Sequence, residues 1–298
     1  MPDQLFSRRF VTTSATGSVI GALLAQHSAG ASGTAQLSAT PQPTTSAPDF
    51  ASAVDAGLDY FRQRAADQAP LVKALRDAIA SGDLEMAKAA YVSARPPYEE
   101  IEALAANFPE TDEAIDARPY AFDEGESSPD FKEFHKLEIL LFRDNDLDSA
   151  LPVANELIGT IETLQHDLTM RDNFSAAGQF DGIIALANEV ASKKVSSEEE
   201  TWSDQSTVIF KHNWIGVWSQ YEPFAPAIEA VEPAIAADVE TSYQEAMAIM
   251  DSTFEPDGVT AIPYSQVSME TRSQIVAASY SLRDALQAAR DAIGIGVA

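Results

Sequence analysis

The sequence predicts an all-α protein, and three observations carry that prediction. From Phe50 onward the chain is rich in Ala, Leu, Glu and Ile, with apolar residues recurring three and four apart. No run alternates with the period of two that marks a strand. Helix-opening and helix-closing residues fall at the ends of the periodic runs: Ser-Gly-Asp at 81–83, Ser-Pro-Asp at 128–130 and Gly294. About eight helices fit, which the length of 298 residues arranges as two packed bundles of about four helices each, dividing near residue 172.

The elements follow in order. Residues 1–31 read as an export signal. Arg8 and Arg9 precede a weakly apolar run, Ala15 to Ala25, and Ala29-Gly30-Ala31 offers a small-residue cleavage site. The paired arginines resemble a twin-arginine signal, which is an address and not an anchor. The apolar run is too short to span a bilayer, so no membrane insertion is expected after cleavage. Residues 32–49, rich in Ser, Thr, Ala and Pro, read as a disordered linker. The helical domain covers 50–298. A first helix is expected over 50–80 with a kink near Pro70, and a second over 84–107 bent at Pro96-Pro97. An irregular connector spans 108–128. Ser128 as cap and Pro129 in the first position then open a helix over 129–143. Further helices are expected over 148–171, 175–194, 198–221, 225–254 with an interruption near Pro233, and 265–293.

Composition narrows the partners. The chain carries 46 acidic and 19 basic residues, a net charge of -27. Such a surface repels nucleic acid and anionic lipid. Most of the acids are spread along the chain and read as a solvated surface, one that high salt would relieve. With no cysteine there are no disulfides, thiolate metal sites, cysteine nucleophiles or lipid-attachment cysteine.

The stretch EFHKLEILLF, 133–142, raises a chemical question. On a helix over 129–143, Phe131, His135, Glu138 and Phe142 are spaced i, i+4, i+7, i+11 and share a face. A lone buried carboxylate costs several kcal/mol, so Glu138 needs a partner. An imidazole and a carboxylate three residues apart can reach one metal ion. The alternative is a buried His–Glu hydrogen bond joining two helices. Glu99 and Glu102 form a second pair, three apart on the preceding helix; facing helices of bundles build metal sites from such pairs, although a solvent-facing acidic ridge has the same spacing. Asp116 and Arg118 lie in the connector, as a structural ion pair or as part of the rim. His166 reads as solvated, and His212, beside Trp214 and Trp218, as a core or interface histidine and a lesser ligand candidate.

Four blocks, "ARPPYEEIEAL", "DEAIDARPY", "FHKLEILLF" and the segment from Lys194 to Asp204 with Asn213 and Gly216 beyond, resemble in order and spacing the imelysin-like domain of the EfeO/EfeM iron-uptake family. The resemblance covers about residues 52–290. It implies an all-helical fold and an extracytoplasmic protein that captures iron, ferrous or ferric, and delivers it to a membrane permease. It also implies metal-binding roles for His135 and Glu138, the HxxE motif, with Glu99 and Glu102 as the acidic pair. Asp116, Arg118, Glu199 and Asp204 then take the rim. The later block departs from the family pattern at Ser197, Asp204 and Ser206. No strand-rich region precedes the helices, so the resemblance is to the shorter EfeM-type form, without a cupredoxin domain. One imidazole and several carboxylates make a hard, oxygen-rich set that suits iron, manganese or another divalent metal better than copper(I). The same family has been classed with metallopeptidases, which leaves a hydrolase as the alternative. A peptidase of the HxxEH type needs a second histidine after the glutamate, and position 139 is Ile. A third reading is a secreted helical interaction module.

Overall fold

Apolar spacing of three and four becomes helix along nearly all of the chain that the computed structural model describes, residues 49–196, 199–256 and 261–296. The expected signal and most of the linker lie outside the described residues. The fold is all-α, as expected. Among the described residues the only extended pairing is one antiparallel bridge, Phe254 with Ala261, and no helix is long and apolar enough to cross a membrane.

Helix α1, Ala51–Ser81, buries Val54, Leu58, Phe61, Ala65, Val72, Leu75 and Ile79 on one stripe. Pro70 lies inside it without ending it: Pro70 and Ala66, whose carbonyl loses its partner, are both exposed. Gly82, at φ +78°, closes the helix by donating its N–H to the Ile79 carbonyl. Asp83 caps α2, Leu84–Ala94. The expected bend at Pro96-Pro97 is a break at Arg95. Pro96 and Pro97 open α3, Pro96–Ile101, which tightens into a 3-10 turn, Glu102–Asn107.

The expected irregular connector holds a helix, α4, Pro109–Asp116. Its proline sits at N1, where the missing N–H has no helical partner to lose. The expected helix 129–143 is corrected in turn. Ser128 Oγ accepts from the Asp130 N–H in a turn, and α5, Glu133–Glu138, starts only after Lys132. Glu133 enters it at φ +59°, a conformation that L-residues with long side chains rarely adopt. The chain continues as a π turn, Ile139–Arg143. Phe131 therefore precedes the helix and packs on Phe122, while Phe142 packs on Tyr91. The four-residue stripe reduces to His135 and Glu138, both buried.

α6, Leu147–Asp167, is capped by Asp146, and α7, Ala176–Ser192, by Ser175. The turn 171–173 lies between them. The helix expected over 198–221 begins only at α8, Ser206–Tyr221. Residues 199–205 are irregular because their polar groups are engaged elsewhere: the N–H groups of Trp202 and Ser203 donate to the Glu138 carboxylate. α9, Ala225–Val231, and α10, Pro233–Asp251, are separated at Glu232 as Pro233 predicts, and Ser268 caps α11, Met269–Ala292.

The described residues form one packed unit. α1 packs on α2, α3 and α6; α7 packs on α8 and α11; α10 packs on α11. The short α3 is pressed against α1 and α8, and the 3-10 turn that follows it against α7 and α8. Two glycines permit that approach. A Cβ on Gly216 would stand 2.1 Å from the Glu100 carbonyl, and one on Gly182 2.0 Å from that of Ala103.

Candidate metal centre

The break between α2 and α3 turns Arg95 into the protein interior. Its Nη2 lies 2.6 Å from Glu99 Oε1 and 2.8 Å from Asp116 Oδ1, and its Nε lies 2.9 Å from Glu200 Oε1. The guanidinium stacks over Phe134, 4.8 Å from the ring centre. These contacts are close, but they are not aligned as hydrogen bonds. A second cation, Lys194, stands at the end of α7. Its Nζ is 2.8 Å from both oxygens of Glu102, 3.2 Å from Glu199 Oε1 and 3.9 Å from Glu99 Oε2. Asn213 on α8 donates to Glu99 Oε2 at 3.1 Å and Glu102 Oε2 at 2.8 Å. Arg118 pairs with Glu199 and lies 3.7 Å from Asp116 Oδ2.

His135 joins this network at its edge. Nε2 lies 3.2 Å from Asp116 Oδ1, out of line for a hydrogen bond, and Nδ1 lies 3.8 Å from Glu138 Oε2. The two carboxylates thus approach opposite nitrogens of the ring. Glu138 Oε1 accepts from the backbone N–H groups of Trp202 at 2.6 Å and Ser203 at 2.8 Å. Glu200 takes Ser203 Oγ and, at 3.1 Å, the Tyr91 hydroxyl.

Six carboxylates (Glu99, Glu102, Asp116, Glu138, Glu199 and Glu200) therefore surround three permanent cations, Arg95, Arg118 and Lys194. The imbalance shows in their proton affinities. Burial pushes Glu99 and Glu102 up, against the pull of Arg95 and Lys194 respectively. Burial, with Glu138 beside it, raises Glu200 to about 7. Asp116 is the opposite case. Burial alone would raise it, but Arg95, His135 and Arg118 hold it well below the usual carboxylate range. Glu199 is likewise lowered, with Lys194 and then Arg118 outweighing burial. His135 is raised because Asp116 outweighs the effect of burial.

Two pockets open onto these groups. One, of about 340 Å³, has His135, Glu138, Glu199 and Arg118 in its walls, with Tyr120 and Trp202 among the residues that line it. The other, of about 540 Å³, is lined by Glu102, Asp112 and Asp116 among others. Arg118 and Tyr120 stand in the walls of both. The structure thus brings His135, Glu138, Asp116, Arg118 and Glu199 together. Glu99 and Glu102 join them through Arg95, Lys194 and Asp116, not by facing His135 directly. Among the described residues no three His, Asp or Glu side chains stand ready to enclose one ion in this arrangement. Asp204 lies apart. At φ +62° it accepts from the N–H of Ser265 at 2.7 Å and from the Ser265 hydroxyl, fixing the turn before α11. His166 is exposed, and His212 pairs through Nδ1 with Glu100 at 2.7 Å.

Sequence reasoning gave no role to Arg95, Lys194 or Glu200. Arg95 carried one local signal, its i, i+4 spacing to Glu99 across the two prolines. Lys194 and Glu200 stood in a block that resembles the family but were assigned no role, because most of their partners are distant in sequence.

The imelysin family profile matches residues 55–292. The chain belongs to the imelysin family. The family member from Pseudomonas syringae pv. syringae named iron uptake system component EfeM is 30% identical over 222 residues, which are 74% of this chain and 76% of that one. The iron uptake system component EfeO of Escherichia coli K12 is 29% identical over 223 residues, 75% of this chain. The match spans 59% of the EfeO chain's length.

Proposed function

We propose that this imelysin-family chain is the extracytoplasmic metal-binding component of an iron-uptake system, which captures iron as its cargo and passes it to a membrane permease. The observation that carries the reading is the convergence of Asp116, His135, Glu138 and Glu199 at one edge of a buried network with more carboxylates than cations, reached by open pockets. A further cation relieves that imbalance. The donor geometry suits one. Two ligands about 2.1 Å from an ion and at right angles around it stand about 3 Å apart. His135 Nε2 and Asp116 Oδ1 are separated by 3.2 Å without hydrogen bonding to each other. Glu138 Oε2 stands 3.8 Å from Nδ1, on the side of the ring from which a carboxylate backs a metal-bound histidine. An imidazole with several carboxylates is a hard set that suits iron or manganese. Iron in particular rests on the relatives named as iron-uptake components. Export by the twin-arginine-type signal at residues 8–9 belongs to the same proposal.

Thermal unfolding of the purified protein with ferrous iron or manganese(II), added without oxygen, tests the reading against chelator. Cation at a hundred times its dissociation constant stabilises the fold by about 2.7 kcal/mol. His135→Ala loses most of that gain. An equal gain in His135→Ala would place the cation elsewhere. A protease assay with and without metal tests the hydrolase alternative, which Ile139, in place of a second histidine, disfavours.

A further inference from the structure

Lys194 is almost wholly buried, 1% exposed, yet it ends in a full charge. Its ammonium is surrounded by Glu102, Glu199 and, at longer range, Glu99. Both Glu102 oxygens stand at the same 2.8 Å, as they would around a bidentate ion. Asn213 also donates to Glu99 Oε2 and Glu102 Oε2, so the two carboxylates have a second holder besides the ammonium. The ammonium is also on a short leash. Lys194 opens a 3-10 turn, Lys194–Ser196, and the irregular residues 199–205, a few positions on in the chain, supply Glu199 to the network and two N–H groups to Glu138. The segment that carries the lysine is therefore bonded to both sides of the candidate centre.

We propose that Lys194 is a tethered stand-in for the metal: its ammonium holds Glu199, beside Glu102 and Glu99, while cargo is absent, and gives Glu199 up when cargo enters. This rests on the cation-binding reading above and deepens it to a means of release. Entry at His135 and Asp116 draws Glu199 toward the ion and loosens the ammonium. Return of the ammonium restores the charge that Glu199 loses when the ion departs, so release does not leave that carboxylate bare in the interior. Lys194 acts as a competitor for the ligands and is not itself one. It sets the affinity low enough for hand-over.

Amine labelling of the wild-type protein tests this. Acetic anhydride is applied with and without manganese(II), and the modification of each lysine is read by mass spectrometry, with exposed Lys73 as the reference. Lys194 is protected without metal and becomes labelled at least several-fold more with it, while Lys73 does not change. Binding is followed in the same samples by the thermal shift that His135→Ala removes. If manganese and ferrous iron both fail to bind, the cation reading falls and this inference with it. If metal binds at His135 while Lys194 stays protected, the inference alone is overturned. A second arm uses Lys194→Met and Lys194→Arg. The methionine variant binds manganese about tenfold more tightly, or more so, and releases it more slowly, whereas the arginine variant stays near wild type. Unchanged or weaker binding by a folded Lys194→Met also overturns the inference.

Discussion

Replacing Arg95 with methionine removes the cation on which three buried carboxylates depend. The side chain keeps similar length and apolar bulk over Phe134, so packing changes little while Glu99, Asp116 and Glu200 lose a charge 2.6, 2.8 and 2.9 Å away. Breaking a buried ion pair from one side costs about 3–5 kcal/mol, because the remaining charge is stranded. Against a total stability of about 5–15 kcal/mol, that brings the fold near its limit at neutral pH. The pH dependence is the sharper signature. In the wild type Asp116 has a lowered proton affinity, so its contribution is present above the unfolded value of about 3.9 and is lost only as pH falls through its depressed folded value. Without Arg95, all three carboxyls are raised and the folded protein takes up protons on acidification. The gap between wild type and Arg95→Met should therefore narrow from pH 8 to pH 5. Urea unfolding followed by far-ultraviolet circular dichroism at both pH values measures it, and Arg95→Lys should recover only part of the loss. A loss under about 1 kcal/mol at pH 8, or a gap that widens toward pH 5, would refute the account of Arg95 as the clamp on these carboxylates.

Two other substitutions probe positions around the centre. Glu133 is buried, and burial raises it to about 7 against the opposing Thr160 hydrogen bond. A raised carboxyl is no burden below about pH 4.5; its penalty grows through pH 7 and is constant above. Glu133→Gln keeps the acceptor for Thr160 and should add up to about 3 kcal/mol at pH 8 and little at pH 4.5, as read from urea midpoints at the two pH values. Gly216→Ala drives a methyl into the Glu100 carbonyl of α3 and should cost about 1–3 kcal/mol by thermal or urea unfolding. Because α3 carries Glu99, the same variant should also weaken manganese binding in calorimetric titration. A variant with wild-type stability would mean that α3 and α8 separate more easily than this contact implies.

Much of the fold was legible because it is written locally. The stripe of α1, the Ser81-Gly82-Asp83 boundary between α1 and α2 and the break at Pro233 are all set by residues within a few positions of one another. His135 and Glu138 were legible as a polar pair in an apolar run. What escaped depends on distant partners. Ser128-Pro129 has the makings of a helix start, but the helix waits for Glu133, whose positive φ is held in a fold where its carboxyl meets Thr160. Residues 199–205 look helical until Glu138, 64 positions earlier, takes the N–H of Trp202. Arg95 and Lys194 were given no role, because most of the carboxylates around them are distant in sequence. Asp204 shows the reverse. It sits inside a block that resembles a metal-site motif, yet its oxygens serve a turn.

The charge network is assembled from two stretches of chain, 95–138 and 194–213, with α6 and α7 between them. Ion pairs cross between the two stretches: Glu102 with Lys194, Arg118 with Glu199 and Arg95 with Glu200. Drift among relatives should therefore couple these columns of an alignment in pairs while the surface between them varies freely. A homologue that has lost Lys194 should have lost an acid near Glu102 or Glu199 as well. Grafting either stretch alone into a distant relative should produce an insoluble chain, whereas grafting both together should not.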